Sequence, residues 1–206
     1  MGCQPLSLAT GVRGMVTFGL VQNAWDRVAA YAAHDDPMVA ASNLIALVVA
    51  SNQPFYPLYV YWTVSDCIWP TLFTFLSTPF FLAVPAIARR YPMGGRALLP
   101  VAGMANTILS AKVFGQASGV EIFLIPCALI AATFFRASER IAAFILIGAA
   151  LLVYLGLDGA YGAPVHAYTA SEYQAFFRLN AMSAGTLTVF VGLMASGLIS
   201  QLKTRT

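Results

Sequence analysis

Charge is what this sequence has least of. Only 9% of its 206 residues are Asp, Glu, Lys or Arg, while 59% are hydrophobic. Soluble domains carry about 25% charged residues. With a mean hydropathy of +0.75, there is too little polar surface to cover a water-soluble particle, and the bilayer is the natural solvent. Histidine is scarce too. His34 and His166 both fall outside the expected spans, so the paired intramembrane histidines of a b-type haem are missing. No lysine lies within the last apolar run, which excludes a retinal Schiff base of the usual kind. Cys3, Cys67 and Cys127 show no CxxC spacing and read as free small hydrophobes. Residues 1–9 are too short and mixed for a signal-peptide core, so lipoprotein processing at Cys3 is not expected. No HExxH, GxSxG or P-loop pattern occurs, and no His/Cys/carboxylate group has metal-ligand spacing. Catalysis, a cofactor and a bound metal are therefore not expected. Low-complexity tracts, heptad seams and solenoid repeats are likewise absent.

What is present is a rhythm of apolar blocks, organised around residues 115–140. A turn, Gly115-Gln116-Ala117-Ser118-Gly119, opens that stretch, and its glycines allow positive φ. An apolar block follows, and Arg136-Ala137-Ser138-Glu139-Arg140 closes it. On the same rhythm, spans fall at residues 38–62, 68–88, 97–114, 120–135, 141–157 and 179–199. At about 20 residues per crossing, six crossings use about 120 residues. The first is expected to kink at Ser51-Asn52-Gln53-Pro54 and Pro57. Residues 158–177 form the only long loop. Ahead of the spans, residues 12–33 are amphipathic. Phe18, Val21, Trp25, Val28 and Ala32 share one face, and Asn23, Asp26 and Arg27 the opposite one. This suits a helix lying in the membrane interface; the rival reading makes it a seventh span. The expected fold is all-α: a polytopic membrane protein with six transmembrane helices preceded by an amphipathic interfacial helix. Its parts are a leader and surface helix (residues 1–36), a six-helix bundle (37–202) and a short cytoplasmic tail (203–206).

Six spans with a cytoplasmic N-terminus put Arg13, Arg27, Arg89, Arg90, Arg96, Arg136, Arg140, Lys203 and Arg205 on the inner side. Only Lys112 and Arg178 fall outside. Such an asymmetry fixes both termini in the cytoplasm of a bacterial inner (plasma) membrane. The net charge of +3 speaks to this orientation and not to nucleic acid.

Polar side chains at membrane depth are the candidate site residues. Asn43, Asn52 and Gln53 lie in the first span, Asn106 in the third and Asn180 at the start of the last. They read either as interhelical hydrogen-bonding groups or as the lining of a small-ligand pocket. Glu121, at the first turn of the fourth span, is favoured there by the helix dipole. An ion pair with Lys112 across the turn is one reading; a ligand or proton sensor, with Ser118 beside it, is the other. Arg136, Glu139 and Arg140 are expected to fix the inner turn and to couple the bundle to the cytoplasm.

Four patterns carry a resemblance. They are Ala41-Ser42-Asn43-Leu44-Ile45-Ala46 behind the amphipathic helix, Phe114 through Phe123 around the Gly115–Gly119 turn, Phe135-Arg136-Ala137-Ser138-Glu139-Arg140, and Phe177-Arg178-Leu179-Asn180-Ala181. In these the chain resembles the hexahelical membrane anchors of bacterial class III adenylate and guanylate cyclases, over about residues 15–200. Related modules occur on some diguanylate cyclases and sensor histidine kinases. The resemblance implies a membrane sensor or anchor. It carries over no enzymatic activity, because no cyclase, GGDEF or kinase motif is present and the sequence stops shortly after the last span. The lipid bilayer, a second copy of the chain, a separate signalling enzyme or a larger membrane complex are the partners to expect. The rival functions are an accessory subunit of such a complex and a small transporter, the last opposed by the near absence of ionisable residues at midplane.

Overall fold

The computed structural model describes residues 26–203, with side chains to residue 200. The described residues are helical with no strands. Most of the expected surface helix, residues 12–25, lies outside them; residues 26–32, at its end, are helical.

Asp36 starts α1 (Pro37–Asn52): its Oδ1 accepts from the Met38 N–H at 2.9 Å, and Pro37 takes a first-turn position that needs no donor. The expected kink is a short 3₁₀ turn, Gln53–Phe55, after which α2 (Tyr56–Thr63) continues the run. The chain then returns through a nine-residue 3₁₀ segment, Trp69–Ser77, into α3 (Thr78–Ala88). Such a long 3₁₀ run is unusual, and its sequence explains it. At 3.0 residues per turn, Thr71, Thr74 and Ser77 stack on one buried face. Their hydroxyls donate to the carbonyls of Ile68, Thr71 and Thr74 at 2.6–2.7 Å. The Gln53 side chain fits across this polar seam.

α4 (Pro92–Phe114) starts five residues before the expected position, because Pro92 serves as a first-turn residue and Gly94-Gly95 belong to the helix instead of a loop. Gly95 has a reason to be there: a Cβ at that position would lie 2.4 Å from Ala88 Cβ. α3 and α4 therefore pack with their backbones close together. After the Gly115–Gly119 turn, a 3₁₀ turn (Val120–Phe123) leads into α5 (Leu124–Thr133). α6 (Arg140–Gly156) follows, and then α7 (Ala170–Lys203). The helix of α7 starts nine residues ahead of the expected span. Its start is a Thr-x-x-Glu capping box, with Glu172 Oε2 accepting from the Thr169 N–H at 2.7 Å and the Glu172 N–H donating to Thr169 Oγ1 at 3.3 Å.

α4 is the central element, packed by α1, α3, α5 and α6. One core layer gathers Ile45, Val84, Leu99, Phe134 and Val191; another, towards the other end, gathers Val60, Phe114, Tyr168 and Phe176. Among the described residues, five helical runs can cross a membrane by length and composition: Pro37–Thr63, Trp69–Ala88, Pro92–Phe114, Ala137–Gly156 and Ala170–Ser200. The remaining apolar run, Val120–Thr133, has 14 residues. It extends about 23 Å by its α and 3₁₀ rises, short of a hydrocarbon core of about 30 Å.

The hairpin topology gives the bundle two chemically different ends. One carries Asp36, Arg89, Arg90, Arg96 and the Arg136–Arg140 turn; the other carries Lys112, the Gly115–Gly119 turn, Glu121 and the loop after α6.

Candidate functional site

Glu121 is held by the short 3₁₀ turn that follows Gly119. Gly119 has φ of 68° and Gly115 φ of 89°, and both need the left-handed freedom of glycine. The reversal they permit swings Glu121 back into the bundle, where the residue retains 8% of its accessible surface. Glu121 Oε2 accepts from Gln116 Nε2 at 3.2 Å, and the same amide nitrogen donates to Asp158 Oδ1 at 2.6 Å. Gln116 Oε1 in turn accepts from the Gly159 N–H at 3.2 Å. One glutamine thus clamps two carboxylates and the start of the loop that closes over them.

Two buried atoms at this place make no hydrogen bond of sound geometry: Glu121 Oε1 and Tyr161 Oη. The two groups nonetheless face each other within hydrogen-bonding reach, and the phenol O–H is the natural donor to the carboxylate. Burial, and after it the neighbouring Glu121 carboxylate, push the Tyr161 phenol up to about 12. Burial makes the neutral phenol the favoured form, and a nearby negative charge acts in the same direction.

The expected ion pair between Lys112 and Glu121 does not form. Lys112 Nζ donates instead to the carbonyls of Tyr161 and Ala163, at 2.9 and 2.8 Å. The loop after α6 folds back over the end of α4 and offers its own acceptors at the ammonium. Ser118 is fully buried, and its hydroxyl donates to the Gly115 carbonyl at 2.7 Å. That bond belongs to the turn. Asn180, also fully buried, is bonded on both sides: Nδ2 donates to the Ser118 carbonyl at 2.9 Å, and Oδ1 accepts from the Tyr56 hydroxyl at 3.0 Å. It joins α7, the turn and α2.

Comparison of the chain with protein-family models, curated proteins and solved structures gives no match.

The other expected site residues lie elsewhere. Gln53 is buried, donating to the Thr74 carbonyl at 3.2 Å and to Ser77 Oγ at 2.6 Å and accepting from Thr78 Oγ1 at 2.5 Å. Asn52 is exposed and accepts from Tyr59 Oη at 3.4 Å. Asn43 lies towards the arginine-rich end and donates to the Ala32 carbonyl at 3.0 Å, tying residues 26–32 to α1. Asn106 is half-buried on α4, with Oδ1 unpaired. These amides do not converge into one pocket. A shallow depression of about 410 Å³ lies between Ala117 and the start of α7, but Glu121 is not among its lining residues.

At the opposite end, Arg96 is almost wholly buried, with 1% of its surface accessible. It donates from Nη1 and Nη2 to the two oxygens of Glu139 at 2.8 and 2.7 Å, and from Nη1 to the Phe134 carbonyl at 2.7 Å. Glu139 Oε2 also accepts from the Arg136 N–H at 2.9 Å, and Arg136 reaches Asp36 at 2.7 Å. The expectation placed Glu139 with its neighbours in the turn; the structure gives its charge to Arg96, forty-three positions away. Arg140 joins neither ion pair.

Sequence reasoning did not find Gln116, Asp158 and Tyr161 as members of the Glu121 cluster. No spacing signals them, since Asp158 is brought to Gln116 only by the fold-back of the loop. The Thr71/Thr74/Ser77 seam was detectable as a three-residue period.

Proposed function

We propose that this membrane protein is a six-span sensor-type module that receives a small signal at its Glu121 end and passes it to a separate partner at its arginine-rich end. The observation that carries the reading is the buried Glu121 carboxylate beneath a loop that a single glutamine clamps in place. Two segments then link the ends. α4 carries Lys112 at one end and Arg96 at the other; the segment from Glu121 through α5 ends in the Arg136–Glu139 turn that grips Arg96. A change in loop packing at Glu121 would bias the seating of α4 against α5, a population shift between two packings and not a chemical step. In this reading Val120–Thr133 is the sixth span, crossing with local thinning or with its flanking residues. The arginine-rich end then faces the cytoplasm.

A second reading, an accessory subunit, draws on α6 and α7. α6 buries only Ala150 and presents Ile141, Phe144, Ile145, Leu152 and Leu155 outwards, a surface that lipid or a partner helix would cover.

Purification of the full chain from its native membrane in mild detergent, with mass spectrometry of whatever travels with it, separates the two. Co-purification of a signalling enzyme supports the sensor. A stoichiometric structural partner from a respiratory, photosynthetic or transport complex would sink that reading.

A further inference from the structure

The depression between Ala117 and the start of α7 gathers uncommitted hydrogen-bond donors. It is lined by Ala117, Ala170, Tyr173, Gln174, Phe177 and Arg178. Other donors at this end are engaged: Lys112 with two loop carbonyls, the Gln116 amide with two carboxylates, and Asn180 with the Ser118 carbonyl. Among the described residues, none forms a hydrogen bond or ion pair with the Tyr173 hydroxyl, the Gln174 amide or the Arg178 guanidinium. Gln174 and Arg178 stand one helical turn apart, and both are exposed. The nearby acids are bonded already, Glu172 to Thr169, and Glu121 and Asp158 to Gln116. Arg178 is therefore an unbalanced charge with neutral donors beside it, complementary to an anion that offers several acceptor oxygens.

Two features make that anion a lipid's. The first is depth. No charged residue separates Arg178 from Lys203, and at 1.5 Å per residue α7 sets them about 37 Å apart. A bilayer is about 30 Å thick in its hydrocarbon and about 40–45 Å with its headgroup regions, so α7 carries Arg178 at the level of the lipid phosphates. The second is what lies below Arg178. At 100° per residue Gln174, Arg178, Met182, Gly185 and Val189 follow one side of α7. Met182 and Val189 are 73% and 63% exposed, and nothing lies within 4 Å of where a Cβ on Gly185 would stand. The depression thus opens onto an apolar strip with room for an acyl chain, for which a free phosphate has no use. A second copy of the chain, packed in parallel on this side, would set Arg178 against Arg178 with no acid on the strip to offset them, which disfavours it. We propose that Tyr173, Gln174 and Arg178 form the headgroup site of one anionic phospholipid, whose acyl chain lies along α7 past Met182, Gly185 and Val189. Arg178 pairs with the phosphate, and Gln174 and Tyr173 donate to its remaining oxygens. The site does not depend on the sensor reading.

The test is native mass spectrometry of the full chain in mild detergent, titrated with phosphatidylglycerol or with phosphatidylcholine. One phosphatidylglycerol per chain is expected, held about fivefold more tightly than phosphatidylcholine, as one interfacial cation gives towards an anionic lipid. Arg178→Gln should abolish that preference. Gly185→Leu, which fills the strip and leaves the headgroup donors in place, should weaken both lipids severalfold. Both positions are exposed, so the two variants should fold. Soluble glycerol phosphate at the same concentration should not displace the lipid. Equal binding of the two lipids, a preference that survives in Arg178→Gln, or displacement by glycerol phosphate overturns the proposal. So does a dimer that Gly185→Leu breaks, since a second copy would then cover this side of α7.

Discussion

Removing the charge from Glu139 is the change expected to damage this bundle most for the fewest atoms altered. Arg96 has 1% of its surface accessible and makes a two-pronged ion pair with Glu139, whose side chain keeps 17%. Glu139→Gln preserves shape and one acceptor but leaves a buried guanidinium without a counter-charge. Breaking one side of a buried pair costs about 3–5 kcal/mol. The lower figure, about 3 kcal/mol, applies here because water reaches Glu139. Arg96→Met should cost less, about 2 kcal/mol. The Phe134 carbonyl loses its donor, but the carboxylate left behind can turn towards solvent and keeps the Arg136 N–H. The double variant should cost little more than Arg96→Met alone, giving a coupling of about 2–3 kcal/mol. The assay is equilibrium unfolding in mixed micelles of mild detergent and dodecyl sulfate, followed by circular dichroism. If Glu139→Gln lies within about 0.5 kcal/mol of the wild type, or if the two changes add, the pair does not hold the end of the bundle and the reasoning fails. By contrast, the Arg136–Asp36 pair is more than half exposed on the arginine side, and its removal should cost no more than about 1 kcal/mol.

Three further outcomes can be checked in the same assay. Gly95→Ala places a methyl 2.4 Å from Ala88 Cβ and 2.7 Å from Ala88 Cα; it should cost about 1–3 kcal/mol, whereas Gly148→Ala, with nothing within 4 Å, should cost nothing. Gly119→Ala combines a φ of 68° with a contact of 2.5 Å to the Phe177 ring, so at least about 1–2 kcal/mol should be lost. Recovery of wild-type stability there would show that the turn is not held left-handed. Tyr56→Phe leaves the buried Asn180 Oδ1 without its donor and should cost about 1–2 kcal/mol, while Tyr59→Phe, whose bond is 3.4 Å and exposed, should stay within about 0.5 kcal/mol.

The sequence by itself determined the solvent, the element type and the rough rhythm of this protein, because these depend on composition and local pattern. Few charges and long apolar blocks leave a helix as the only local way to satisfy the backbone in lipid. Glycines at 115 and 119 and prolines at 37, 54 and 92 mark turns and first helical turns by their own stereochemistry. The early start of α7 was not read: residues 158–177 were expected to be loop, although Thr169 and Glu172 form a capping box and the helix begins at Ala170. The pairing of side chains was not legible. Glu121 and Lys112 are close in sequence and chemically suited to each other, yet loop carbonyls take the lysine and a glutamine takes the carboxylate. Arg96 looked like one more inner-side arginine, although it is the most completely buried charge in the described chain and the partner of Glu139. A helix propensity or a hydrophobic period is decided within a few residues, whereas the neighbours of a buried charge are decided by which distant segments the bundle brings against it. In a medium that offers no water to exposed donors and acceptors, that tertiary choice settles which polar groups are bonded and which are left without a partner.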